Sequence, residues 1–359
     1  MTAAPQTLAS WFDANGRRGP SFDMIRLFAA FTVMVSHSFS ITGSPFGAWT
    51  FITQQGSPGT LAVAVFFVLS GYVIAESLRR DPRPGAFLRK RALRIYPALT
   101  VVVLCTVFVY GPLMTDLSLS QYFSSRGTAI YLLSVVFPMK EKLPGVFDHT
   151  ANYFVNASLW TLRYEIICYV VVGLLGAAML ARRWAVLAVA IALTALTGVL
   201  LYGRVHAGFA AEQIIRGLPL ITSFLGGMSV ALFADRLPVN AAAVAVAAVL
   251  VGVSLKGGFF VVFPFAGAYL IAVLGNSSRL AFPRFRRGIF AGDFSYGVYI
   301  FAYPIQQAVF RVVGSGCSWW VDFLLSVPIV FGLAVLSWHF IEKPFLRLKS
   351  AGFAYSQKV

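Results

Sequence analysis

The 359-residue chain reads as an all-α polytopic membrane protein with about ten transmembrane helices and both termini in the cytoplasm. Three observations predict this. Hydrophobic residues make up 58% of the chain and charged residues 12%, against about 25% charged in soluble domains, so too little polar surface exists to solvate a globule of this size. The 33 Phe and 7 Trp exclude a disordered chain, which lacks the apolar residues to build a core. The apolar runs are also long and continuous, as helices crossing about 30 Å of hydrocarbon require; strands of a membrane barrel would alternate instead.

Taken in order, residues 1–21 are polar and form a cytoplasmic tail without the pattern of a cleavable signal peptide. Apolar runs then place spans at 22–42, 59–78 and 93–112, with a basic cytoplasmic turn at 79–92. A long external segment, 113–157, leads to spans at 158–178, 183–203, 214–236, 239–255 and 258–275. The turns at Arg236 to Pro238 and Lys256 to Gly258 are short enough to accommodate re-entrant segments. Spans at 289–311 and 319–340 complete a transmembrane domain over 22–340, and residues 341–359 form a cytoplasmic tail, with no soluble domain expected beyond it.

The orientation comes from charges that play no part in drawing the spans. With the N-terminus inside, 21 of the 29 Lys and Arg fall on internal segments, the excess that the positive-inside rule requires. The net charge of +16 therefore calls for no nucleic-acid partner. Seven of the internal charges crowd into residues 79–94. Cys105, Cys168 and Cys317 form no CxxC or disulfide pattern, and His149, His206 and His339 lack partners at zinc-ligand spacing, so no metal is expected.

Function is sought among ionisable residues at membrane depth, each costing about 2.5–3.5 kcal/mol or more at a span centre. Arg26 and His37 lie 11 residues apart in the first span, which puts them on one helix face about 16 Å apart, Arg26 near the cytoplasm and His37 in the outer half. A local pair with Asp23 is the structural alternative for Arg26. Glu165 in the fourth span falls roughly 10 Å below the outer surface and His37 about 7–8 Å below it. Their nearly equal depth suggests a carboxylate supporting an imidazole base; a buried structural ion pair is the alternative. In FLRKRALRIYP, residues 87–97, Arg89, Arg91 and Arg94 suit a phosphate clamp or a plain orientation anchor. Ser70 beside Gly71 is a candidate acyl relay or a point of close helix packing.

The segments FDMIRLFAAFTVMVSHS, GTLAVAVFFVLSGYVI, FLRKRALRIYP, SLWTLRYEIICY, FSYGVYIFAYPIQQ and HFIEKPF, in this order over residues 22–347, resemble the acyltransferase 3 family of bacterial integral-membrane O-acyltransferases. The resemblance implies transfer of an acyl group, usually acetyl from cytoplasmic acetyl-CoA, to a hydroxyl of a carbohydrate acceptor at or beyond the inner membrane, with acyl-CoA as substrate and no permanently bound cofactor. By motif it implies catalytic roles for His37 and Glu165 and acyl-donor binding by Arg26, Arg89, Arg91 and Arg94. Two departures stand out: Phe301, Ala302 and Tyr303 precede Pro304 where many members carry a histidine, and no esterase-like domain follows the last span. The expected mechanism has the arginines holding the donor's phosphates and the pantetheine arm running along the Ala30 and Val33 face of the first span. His37 then deprotonates the acceptor or carries the acyl group, two routes that the sequence leaves open. A transporter of an anionic solute or lipid-linked sugar is the rival reading; the internal repeat common in transporters is not found.

Overall fold

The computed structural model describes residues 6–14, 19–47, 55–138, 141–147, 153–203, 208–277, 291–314 and 316–348. The basic residues Arg279, Arg284, Arg286 and Arg287 lie outside the described residues, as do His149 and His206. Among the described residues there is no strand, only two isolated bridges, Thr7 with Pro238 and Thr115 with Val146. Each predicted span folds as a helix: α1 Phe22–Thr42, α2 Pro58–Arg80, α3 Pro84–Met114, α4 Leu159–Ala181, α5 Arg183–Tyr202, α6 Phe209–Leu232, α7 Ala241–Ser254, α8 Phe259–Asn276, α9 Ser295–Val313 and α10 Trp319–Leu348. Among the described residues eight are long and apolar enough to cross a membrane. The remaining two are α7, whose 14 residues reach only about 21 Å at 1.5 Å each, and α9, which has the length but carries Gln306, Gln307 and Arg311.

Two boundaries differ most from the sequence expectation. The third span starts nine residues early, so the basic block folds as the first turns of α3 instead of a loop. The last helix runs on to Leu348 through a π turn at Trp338–Glu342. The expected N-terminal tail is also ordered in part: a short helix, Leu8–Ala14, buries Leu8 and Phe12, and its leading backbone pairs with the α6–α7 turn through Leu8 N–H to Leu237 O at 2.8 Å and Val239 N–H to Gln6 O at 2.7 Å.

The chain divides into two compact units. The first comprises Met1–Ala29, Phe46–Phe87 and Val170–Arg286. Its packing rests on glycine, because apolar burial supplies little drive between helices in lipid and close backbone approach supplies van der Waals contact instead. A Cβ on Gly71 of α2 would lie 1.9 Å from the Phe224 carbonyl oxygen of α6, and one on Gly227 would lie 2.1 Å from the Val68 oxygen of α2. Tyr72 seals one end of this seam, its hydroxyl accepting from Asn276 at 3.2 Å and its ring meeting Phe12 and Phe22 edge to face.

The second unit comprises Ala30–Pro45, Leu88–Tyr169 and Arg287–Val359. Its organising element is α9. Pro304 has no N–H, so the Ile300 carbonyl one turn back loses its helical partner. Asn156 replaces it, donating from Nδ2 to Ile300 O at 2.9 Å while its Oδ1 accepts from Ser158 N–H at 3.2 Å ahead of α4. One side chain thus repairs a proline gap in α9 and starts α4. Further bonds fix the antiparallel register of these two helices: Thr161 with the Tyr299 hydroxyl at 2.6 Å, and Gln307 Nε2 to Phe154 O at 3.0 Å.

Candidate functional site

The polar residues of the second unit gather at two levels of α9. At the first level Arg94 donates to Asp293 at 2.6 Å and to Glu342 at 3.0 Å, and its guanidinium lies over the Tyr296 ring at 5.6 Å. Both carboxylates are themselves held. Asp293 accepts from the Ser295 hydroxyl and N–H at the start of α9, and Glu342 accepts from Ser337 at 3.0 Å. The π turn in α10 supplies this geometry, adding the residue that brings Glu342 back over Ser337. Both terminal nitrogens of Arg94 are therefore occupied, and it ties α3, α9 and α10 together.

Glu165 also reaches this level. It accepts from the Tyr169 hydroxyl one turn along α4 and lies within electrostatic reach of Tyr296, which Arg94 and Glu342 also face. Arg91 stacks over Tyr169 at 5.8 Å. Glu165 thus supports the arginine block through Tyr169. His37 meets Tyr303, whereas Glu165 lies within electrostatic reach of Tyr296 and Tyr299, earlier along α9. Arg89 is exposed and donates to Leu348 O at 2.8 Å.

The second level holds His37, set seven residues of α9, about 10 Å, from Tyr296. His37 is half-buried. Its ring meets Tyr303 edge to face, with centroids 4.9 Å apart, and its Nδ1 is buried without a hydrogen-bond partner among the described residues. The next residue, Ser38, donates to the fully buried Asp322 of α10 at 2.6 Å. Gln306 Nε2 joins them, reaching Met34 O at 2.8 Å, Ser38 Oγ at 2.6 Å and Asp322 at 3.2 Å. This network locks α1 against α9 and α10 beside the imidazole. Glu141, paired with Arg163 at 2.8 Å, lies within electrostatic reach of Tyr303.

Sequence reasoning missed Asp322, Gln306, Asp293 and Glu342. The rule that singled out Glu165, an ionisable residue inside an apolar run, applies equally to Asp322 at the start of the tenth span. Tyr303 occupies the stretch in which the expected histidine was absent, so an aromatic hydroxyl stands where another basic side chain was sought.

Arg26 and Ser70 belong to the first unit. Arg26 faces Asp23 at 3.8 Å. The Ala30 and Val33 face beyond it is packed, at 1% and 3% exposure, so it is no open groove for a pantetheine arm. Ser70 precedes the Gly71 contact with Phe224, as close helix packing requires.

The chain matches the acyltransferase domain family over residues 20–339. It is 29% identical over 344 residues to the O-acetyl transferase of Shigella phage Sf6, covering 92% of this chain and 96% of that protein. It is 28% identical over 373 residues to nodulation protein 10 of Rhizobium leguminosarum bv. viciae, covering 94% and 96%. YrhL of Bacillus subtilis (strain 168), provisionally named a peptidoglycan O-acetyltransferase, is 25% identical over 380 residues, covering 95% of this chain and 56% of that protein. No solved structure gives a significant match.

Proposed function

The chain belongs to the acyltransferase 3 family of membrane O-acyltransferases, and on that premise we propose that it moves an acetyl group from cytoplasmic acetyl-CoA to a hydroxyl of a cell-surface or exported carbohydrate. It is a multi-pass enzyme of a bacterial inner membrane in this reading, with both termini cytoplasmic, as the distribution of basic residues supports. O-acetyl transfer is the activity named for the phage relative and for YrhL.

The observation that carries the site assignment is the state of His37. A half-buried imidazole whose Nδ1 is buried and unpartnered, held against Tyr303 at 4.9 Å, presents Nε2 as its accessible nitrogen. That nitrogen takes the proton of the acceptor hydroxyl as it attacks the thioester. Arg89 and Arg91 hold the donor's phosphates at the level of Tyr296. Glu165, through Tyr169, keeps Arg91 in place. The roughly 10 Å between the two levels of α9 is a distance an extended pantetheine arm covers.

The test is release of CoA from acetyl-CoA by the purified protein in nanodiscs, with N-acetylglucosamine oligosaccharides or water as acceptor. His37→Ala should lower the rate by about 10²–10⁴ while leaving CoA affinity unchanged. A loss below tenfold removes His37 from the role of base.

A further inference from the structure

Besides His37 Nδ1, the buried atoms near this level without a hydrogen-bond partner among the described residues include Gln306 Oε1 and Asp322 Oδ1, which belong to side chains bonded in the Ser38 network, and a tyrosine hydroxyl on α3. The Tyr110 hydroxyl is buried without a hydrogen-bond partner among the described residues. Such an atom costs about 1–3 kcal/mol, and native folds contain few enough of them that each requires a cause. Tyr110 ends the π turn Thr106–Tyr110 of α3, and π turns gather at functional positions because the extra residue redirects the side chains beyond it.

The surroundings hold that direction. Phe147 packs on the Tyr110 ring, with centroids 6.3 Å apart, from a backbone at φ 61°, a conformation rare for a bulky residue and kept only where its neighbours enforce it. The Thr115–Val146 bridge and the bond from Asp116 N–H to Gly145 O at 2.9 Å clamp this segment to the end of α3. Tyr110 lies within electrostatic reach of Tyr303, the ring that meets His37. Arg311 is near as well, but it is engaged with Met114 O at 2.5 Å and Asp116 at 3.4 Å. The unpartnered hydroxyl of Tyr110 and the ring of His37 are therefore both neighbours of Tyr303.

We propose that the Tyr110 hydroxyl donates a hydrogen bond to the carbonyl oxygen of the acyl group during transfer, stabilising the negative charge that forms there. The proposal rests on the reading of His37 as base. As the acceptor oxygen bonds to the thioester carbon, His37 takes the hydroxyl proton and the carbonyl π pair moves onto oxygen, where Tyr110 meets it. The pair then re-forms the C=O bond, the C–S bond breaks, and the leaving thiolate takes the proton from His37. The products are the ester and CoA thiol.

Tyr110→Phe is the test, because it removes the hydroxyl and keeps the ring on Phe147. In the acetyl-CoA release assay with N-acetylglucosamine oligosaccharides, kcat should fall about 10²–10³, the loss typical of one such donor, with KM for acetyl-CoA and CoA affinity unchanged. The melting temperature should hold or rise, since the removed hydroxyl has no protein partner to lose. A kcat within threefold of wild type overturns the proposal. So does a lowered melting temperature, which means the hydroxyl is bonded inside the protein. His37→Ala measured alongside separates the two failures: if it is inactive while Tyr110→Phe is active, only the Tyr110 assignment falls, and if both are active the reading of the whole site falls. A wild type without turnover ends both.

Discussion

The two levels of α9 differ in how their charged and catalytic-type side chains are satisfied. At Arg94 each charge is matched: a guanidinium meets two carboxylates, and each carboxylate meets a serine. At His37 an imidazole nitrogen and a tyrosine hydroxyl are buried without a partner among the described residues, as are one oxygen each of Gln306 and Asp322, although the Ser38–Gln306–Asp322 network beside them is built with bonds of 2.6–3.2 Å. Buried polar groups are costly when unpaired and stiffening when paired. A cluster that spends all its donors internally therefore holds helices together, whereas one that keeps atoms open beside a rigid frame is arranged for something that arrives later. The same residue type can fall on either side. Arginine in the third span looks alike throughout 89–94 in the sequence, yet Arg94 is engaged by two carboxylates and Arg89 faces solvent.

The largest effect that would break this contrast lies at Arg94. Arg94→Ala leaves Asp293 and the nearly inaccessible Glu342 without their cation, a change that costs about 3–5 kcal/mol when a buried pair is broken. Thermal unfolding in detergent should move down accordingly. CoA affinity of the protein that remains folded should match wild type, and a variant of wild-type stability with weakened CoA binding would return Arg94 to the donor site.

A middle-sized effect sharpens the account of why the His37 level is rigid. Asn156→Ala removes the donor to Ile300 O, leaving the carbonyl opened by Pro304 unsatisfied at a cost of about 1–3 kcal/mol. Stability measured by denaturation should fall by that amount. Restored stability in the double variant Asn156→Ala, Pro304→Ala, where the helix supplies its own N–H again, would establish the side chain as the proline's replacement; no restoration would mean that Asn156 acts on α4 alone.

Much of this was legible in the sequence, and the illegible part has a common cause. Apolar run length places all ten helices because membrane insertion imposes it locally. His37 stands out because a lone ionisable group in a span is expensive. Pairings between helices are another matter. The equal-depth argument joined His37 to Glu165, but depth along separate helices does not fix their rotation or stagger, and Glu165 finds Tyr169 on its own helix. Asp293 and Glu342 lie 199 and 248 residues from Arg94, so no spacing rule connects them. The π turns that aim Tyr110 and Glu342 leave no periodicity signal of their own, since each shifts the register by a single residue.

The smallest effect concerns Arg89, which stands between the two classes. It faces solvent yet donates to Leu348 O, one of the carbonyls that the last turn of α10 leaves without a helical partner. If it serves only as that cap, Arg89→Ala should cost about 0.3–1 kcal/mol of stability and leave CoA binding unchanged. If it also meets the donor's phosphates, Arg89→Ala should weaken CoA about tenfold, an exposed contact being worth roughly one power of ten. Binding of dephospho-CoA should drop less, because that probe already lacks one phosphate. Arg89→Lys distinguishes the contributions further: an ammonium restores the charge but not the planar fork that grips two phosphate oxygens together, so it should recover part of the affinity. Equal binding of CoA and dephospho-CoA by wild type and both variants would assign Arg89 to the helix end alone and leave Arg91, stacked on Tyr169, as the arginine of this block to test next for donor binding.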